Sequence, residues 1–171
     1  MQIIKIFFLF LIFITSSGIG YMIANQYSNR VKDLQEIQNA LNIMKTKMRY
    51  TYETIPDIFE EISKTTKENI SEIFKQSIEN MRNKNQNAGQ AWKDSILNAN
   101  TSFTEEDKTI LANMEKLLGK TDLDGQVGEI ELTVNLVKMQ IDKAEKERAK
   151  NEKLYKTLGN VIGTTIVILL I

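Results

Sequence analysis

The chain has 171 residues, and its 22 basic and 22 acidic side chains give a formal net charge of zero. Cysteine and histidine are both absent from the sequence, which excludes thiol chemistry, zinc-finger ligation and acid–base catalysis by imidazole. The charge balance offers no basic excess for nucleic acid, and a single proline with eight glycines argues against a loop-rich all-β fold. The composition predicts a polar, helical middle between two apolar ends.

The first apolar segment covers residues 3–24, where Lys5 is the only charged residue. A stretch of about 22 such residues is long enough to cross a bilayer core of roughly 30 Å. A cleaved signal peptide is the competing interpretation, with the small residues Thr15–Gly18 as the cleavage region. Apolar residues resume from Ile19 to Ala24, beyond that region, so we predict a transmembrane helix at residues 1–24.

Apolar residues then recur at helical spacing, which predicts a bundle built from six helices. The first stripe steps by three or four residues along Val31, Leu34, Ile37, Leu41, Met44 and Met48. Thr54 and Pro56 begin a second helix, and residues 69–82 form a third. The polar segment Asn83–Asn87 is the clearest loop, and Thr104 opens a fifth helix ahead of three carboxylates.

The fourth helix is short, and its predicted apolar positions are Ala88, Ala91, Trp92 and Leu97. Trp92 is the only tryptophan of the chain, and we expect it to anchor the core rather than to form a ligand platform. Gly119 is suited to end the helix that begins after Thr104.

The last helix carries a heptad-like seam from Val127 to Ala144 and then becomes almost entirely charged over residues 142–153. Opposite charges lie four residues apart here, as in Lys143 with Glu147, which is typical of a solvated stalk. An apolar segment, residues 154–171, follows without a helix breaker, so we predict one continuous helix of stalk and second span. The domain prediction is therefore a bundle with its stalk at 25–153 between two spans.

Gly159 and Gly163 in the second span have small-xxx-small spacing, which can bring two membrane helices close together. Positive charges flank the inner side of both spans, as at Arg30 and Lys153, whereas Lys5 is alone on the other side. By the positive-inside rule, the bundle is predicted to face the cytoplasm.

We find no residue pattern that supports catalysis, a metal site, a cofactor site or a small-molecule substrate. The acidic run Glu105–Asp107 is explained by its position in the first turn of a helix. Asp122 and Asp124 lack the ligand spacing of a calcium loop, and Gly119 with its neighbouring glycines is not followed by the Gly-Lys-Ser/Thr of a phosphate loop. The sequence predicts a non-enzymatic interaction protein.

Several residues together resemble one known family over the whole chain. They are Gly20, Tyr21, Ala24, Tyr27, Arg30, Leu34, Leu41, Tyr50, Pro56, Ala91, Trp92, the segment Leu118–Asp122, Gln126, Leu132, Lys153, Tyr155, Lys156, Leu158 and Gly159 with the apolar tail. In this pattern and in its layout the chain resembles the stage III sporulation protein AB family. It departs from the family pattern at Lys47, near which an acidic residue is expected, and at Asp57, where a leucine is expected.

The resemblance implies a membrane subunit of the channel complex that links mother cell and forespore in endospore-forming bacteria. It implies an all-α six-helix domain similar to the cytoplasmic domains of the platform component F of type II secretion and type IV pilus machines. The implied place is the outer forespore membrane, with the bundle on the mother-cell side. The implied partners are the sporulation ATPase, stage III sporulation protein AA, the other membrane subunits of the channel, and the lipid bilayer.

A docking face for such a partner should be polar and charged. We select as candidates the basic face of Lys45 and Arg49 and the exposed side of the stalk, represented by Lys143, Glu147 and Lys150. The alternative function is a coiled-coil surface protein, secreted by a signal peptide and anchored by its C-terminal span. The two differ in the side of the membrane on which the Asn83–Asn87 loop lies.

Overall fold

The structure is a computed structural model that describes residues 2–51 and 53–170. Its elements are α1 (Gln2–Tyr50), α2 (Ile55–Thr65), α3 (Glu68–Asn83), α4 (Ala88–Leu97), α5 (Glu105–Ala112), a 3₁₀ helix (Asn113–Lys116) and α6 (Leu123–Leu170). The predicted all-α architecture of six helices is confirmed. The predicted continuity of the last helix is also confirmed, since α6 is 48 residues long, and α1 is likewise continuous over 49 residues.

The chain forms two compact units, each of which takes residues from both long helices. The terminal unit contains the chain up to Val31 and from Lys143 onward, and the bundle unit is Lys32–Asp142. Within the bundle unit, α3 packs on α2 and α4, and α4 also packs on α5 and on the 3₁₀ helix. The boundaries at Val31 and Lys143 separate regions by their internal packing. They do not locate the membrane, so the predicted ends of the spans at residues 24 and 154 stay predictions.

Two of the short helices begin where their capping residues predict. At α5, the Thr104 backbone N–H donates to the Asp107 carboxylate at 2.9 Å, and the Asp107 N–H donates to the Thr104 hydroxyl at 3.3 Å. At α2, the Thr54 N–H donates to the Asp57 carboxylate at 3.3 Å. The bonds at α5 are reciprocal, and at both helices they satisfy backbone N–H groups that the start of a helix leaves without an intrahelical partner. The acidic residue after the proline thus has a structural role in helix capping.

Trp92 occupies the centre of the bundle unit, as predicted for a core anchor. Its ring is fully buried, with centroids 5.9 Å from Phe59 and 5.4 Å from Phe74. The indole Nε1–H donates to the Leu111 carbonyl oxygen at 2.7 Å, so the one polar group of the ring is satisfied. This cluster joins helices α2, α3 and α4 to α5.

Two predicted core positions are wrong. Leu97 is 44% exposed, and Ile96 is fully buried in its place. Ile96 lies four residues after Trp92 and therefore shares its face of α4, whereas Leu97 is rotated by a further 100°. In α6, Val134 of the predicted seam is only half-buried. The neighbouring Thr133 is buried, and its hydroxyl donates to the Glu129 carbonyl oxygen at 2.9 Å.

The backbone of α4 lies directly on the 3₁₀ helix at Gly89. A Cβ atom at this position would overlap the Glu115 carbonyl oxygen and lie 3.1 Å from Glu115 Cα. Beside this contact, the Lys93 ammonium pairs with the Glu115 carboxylate at 2.8 Å. The hydrogen bond from Lys93 holds the pKa of Glu115 below its usual range, and the same bond raises the pKa of Lys93.

Replacing Gly89 with alanine should therefore destabilise the bundle unit. We expect Gly89→Ala to lower the free energy of unfolding by about 1–3 kcal/mol, because a backbone segment must move to admit the methyl group. Urea unfolding of the full chain, followed by the fluorescence of Trp92, measures this change. Gly128→Ala is the matched control, since a Cβ there meets nothing within 4 Å and alanine is a better helix former. Equal destabilisation by the two variants would contradict the proposed close packing at Gly89.

Candidate functional site

In the terminal unit, the backbones of α1 and α6 lie in close contact at Gly20 and Gly159. A Cβ atom on Gly20 would lie 2.7 Å from the Tyr155 carbonyl oxygen and 2.8 Å from Gly159 Cα. The Ser16 hydroxyl donates to the Gly159 carbonyl oxygen at 2.9 Å. Close backbone contact between helices with a hydroxyl bond across it is the packing that an apolar medium favours.

Gly163 lies one turn further along α6 and also faces α1. A Cβ at Gly163 would be 3.2 Å from both Phe13 Cδ2 and Ser16 Cβ, a tight contact without a backbone clash. Gly20 was not among the sequence-derived packing residues, although Ser16 and Gly20 repeat the small-xxx-small spacing on α1. The spacing of Ser16 and Gly20 could have indicated this contact from the sequence, but only the structure shows that the two residues face Gly159.

The outward sides of this helix pair are apolar. Phe7, Phe8 and Phe10 are each close to 60% exposed on α1, and Ile168 and Leu169 are 68% and 79% exposed on α6. α1 and α6 are both long and apolar enough to cross a membrane. Exposed apolar side chains in such a run are stable in a nonpolar environment rather than in water, and lipid acyl chains supply that environment.

Aromatic and basic side chains lie at one end of the apolar region. The rings of Tyr27 and Tyr155 stack with centroids 5.8 Å apart. Lys156 pairs with Glu152 at 2.7 Å, and its ammonium nitrogen lies 5.4 Å from the centre of the Tyr21 ring. Tyrosines with a polar tip, accompanied by lysine, are typical of the boundary between hydrocarbon and headgroups.

The docking candidate Glu147 has a partner inside the terminal unit. Its carboxylate pairs with Arg30 at 2.6 Å, where the Arg30 side chain is 7% exposed and that of Glu147 is 37% exposed. A nearly buried guanidinium needs such a carboxylate, because an unpaired charge at this depth is costly. The first role of Glu147 is therefore to stabilise the pair of helices α1 and α6, before any role in docking a partner.

The remaining docking candidates are distributed over both units. In the bundle unit, Lys45 is half-buried and Arg49 is exposed on α1, while the neighbouring Lys47 pairs with Glu61 and, at 3.3 Å, with Glu53. In the terminal unit, the candidates Lys143 and Lys150 are exposed on α6. The basic residues of the candidate set are Lys45, Arg49, Lys143 and Lys150, and of these Lys45 is the one that is half-buried.

The structure also locates the polar grooves of the bundle unit. Two open grooves of about 300 and 420 Å³ run along α3 and are lined mainly by carboxylates and carboxamides, such as Glu72, Gln76 and Asn98. Within residues 2–51 and 53–170, no group of three or more acidic side chains is placed to hold a metal ion.

Comparison of the sequence with known protein families gives a match that covers both the terminal unit and the bundle unit. The model of the family described as stage III sporulation protein AB matches residues 5–171. The chain belongs to this family. Its role accordingly lies in sporulation.

Two relatives extend the comparison with the stage III sporulation protein AB family. The chain is 23% identical over 161 residues to stage III sporulation protein AB of Bacillus subtilis (strain 168), which covers 93% of this chain and 94% of that protein. A solved structure of stage III sporulation protein AB matches with a TM-score of 0.67 at 18% identity, covering 71% of this chain and 98% of the solved chain. At this level of identity the second comparison supports the fold.

The close contact between Gly20 and Gly159 can be tested by substitution. We expect Gly20→Ala to lower the unfolding temperature of the terminal unit by several degrees, since the added methyl overlaps backbone atoms of α6. Because the chain has no cysteine, Ala24→Cys at a fully buried position can report unfolding in detergent through a thiol-reactive fluorophore. Gly18→Ala is the control, because a Cβ there meets nothing within 4 Å. A matching decrease in Gly18→Ala would contradict the assignment of the contact.

Proposed function

We propose that the chain is a non-enzymatic membrane platform subunit of the mother cell–forespore channel required for endospore formation. Its bundle unit couples to the sporulation ATPase, stage III sporulation protein AA, and its spans contact the other membrane subunits. The observation that carries the proposal is the pair of terminal helices, apolar on their outer faces and joined by the Gly20–Gly159 contact. Membership of the sporulation family supports the same conclusion.

The proposed mechanism is mechanical. α1 and α6 both pass from one unit into the other without a break in helical structure. A movement imposed on the bundle unit by a nucleotide-driven partner is then passed into the membrane as a tilt or shift of helices rather than lost in a flexible linker. No cofactor or reacting group is required for this role.

The proposed orientation places the bundle unit in the cytoplasm of the mother cell, next to the outer forespore membrane. Basic residues lie next to the inner ends of both apolar segments, including Arg30 and Lys32 after the first and Lys150 and Lys153 before the second. Such an excess of lysine and arginine close to a span marks the cytoplasmic side. The surface-protein alternative requires the opposite orientation.

Labelling of a single cysteine distinguishes the two orientations. We choose Asn83→Cys at the end of α3, because Asn83 is exposed and helical, whereas Asn85 in the adjacent loop has a φ of 51° and would be strained by cysteine. The expected result is protection from a membrane-impermeant thiol reagent in intact cells and labelling after lysis. Labelling in intact cells would put the bundle unit outside, and the anchored surface protein would replace the platform.

Docking of the ATPase is tested at the basic face of α1. Reversing both charges, in Lys45→Glu with Arg49→Glu, should weaken co-purification of stage III sporulation protein AA by roughly tenfold or more, because like charges then meet across the interface. The control is Lys75→Glu with Lys138→Glu, which makes the same change of charge at two exposed positions of the bundle unit. Undiminished binding by the first pair would contradict this docking face, and equal losses in both pairs would show a general charge effect.

A further inference from the structure

Four lysines of α6 lie on one side of the helix just before the second apolar segment. Lys143, Lys146, Lys150 and Lys153 follow one another at intervals of three, four and three residues, and all four are exposed. At 100° per residue these intervals place the four side chains within an arc of about 80°. We call this set the lysine face.

Two acidic residues of the same segment are paired with basic residues outside the lysine face. Glu147 pairs with the nearly buried Arg30 at 2.6 Å, and Glu152 pairs with Lys156 at 2.7 Å. The sequence alone suggested that Glu147 pairs with Lys143, and the structure pairs that carboxylate with Arg30 of α1. Residues 142–156, which contain the lysine face, have six basic and four acidic side chains, so this segment is net positive although the chain as a whole is neutral.

The lysine face borders the part of α6 that is suited to lipid. Leu154 and Leu158 are 47% and 41% exposed directly after Lys153, and Tyr155 lies at the same level. With a rise of about 1.5 Å per residue, Lys150 is about 6 Å and Lys146 about 12 Å before Leu154 along the helix. Headgroups form a layer roughly 5–7 Å deep on each side of the hydrocarbon, and charges act beyond it over a Debye length of about 8–10 Å.

We propose that the lysine face binds the anionic phospholipid headgroups of the membrane that α6 enters. This inference rests on the membrane insertion in the proposed function, but it does not depend on the ATPase. It assigns Lys150 to lipid rather than to a protein partner, because Lys146, Lys150 and Lys153 lie within reach of phosphate groups and the neighbouring carboxylates of Glu147 and Glu152 are already paired. Each lysine close to an anionic surface contributes about fivefold to binding.

Fluorescence quenching in reconstituted bilayers tests the proposal. The full chain with Leu154→Trp is placed in bilayers in which either phosphatidylcholine or phosphatidylglycerol is brominated, so that quenching reports the lipid next to the end of the lysine face. Trp92 contributes a constant background, because it is fully buried in the bundle unit. The ratio of the two quenching efficiencies gives the preference for the anionic lipid over the neutral one.

We expect phosphatidylglycerol to be preferred by about fivefold or more, and the preference to fall as sodium chloride is raised to about 1 M. The variant Lys146→Gln with Lys150→Gln and Lys153→Gln should lower the preference to near one. The control, Lys75→Gln with Lys116→Gln and Lys138→Gln, removes three exposed charges from the bundle unit and should retain it. Circular dichroism confirms that each variant keeps its helical content.

Three outcomes would overturn the proposal, and they differ from one another. Equal quenching by both lipids in the parent chain would leave the lysine face to an acidic protein partner. A preference that survives in the triple variant of the lysine face would place the lipid site elsewhere. Absence of quenching by either brominated lipid would show that the Leu154 region is outside the bilayer, and the membrane placement of the proposed function would then fail as well.

Discussion

The terminal unit depends on the contact between Gly20 and Gly159. In a surrounding of acyl chains, helices gain little from burying apolar surface, so close backbone packing and polar bonds across the interface must hold them together. Only glycine permits this approach, and the approach brings the Ser16 hydroxyl to the Gly159 carbonyl oxygen. The same register aligns Tyr27 with Tyr155 and Arg30 with Glu147.

The charges of this chain balance overall, but they are unevenly distributed along α6. Equal numbers of acidic and basic residues suggest an evenly mixed surface, and the charged segment of α6 looks like a ladder of pairs within one helix. Pairing of Glu147 with Arg30 changes that picture, because it moves one carboxylate to the helix interface and leaves lysines on the outside. A neutral chain can thereby present a positive face at the point where a membrane surface carries negative charge.

The bundle unit obtains its stability from core packing and helix capping. Trp92, Phe59 and Phe74 fill the centre, and the indole N–H is satisfied by a backbone carbonyl. The acidic residues at the starts of α2 and α5 bond backbone N–H groups. The carboxylates of Asp57 and Asp107 thus have a structural role in this unit.

The sequence by itself determined the helical class, the continuity of the last helix, the capped starts of α2 and α5, and the burial of Trp92. These features depend on periodicity and on residues a few positions apart. Tertiary structure decided the rest: that Gly20 faces Gly159, that Ile96 is buried instead of Leu97, and that Glu147 bonds a residue 117 positions away. Such partners follow from the register and rotation of packed helices, and the spacing of residues along one helix contains no information about either.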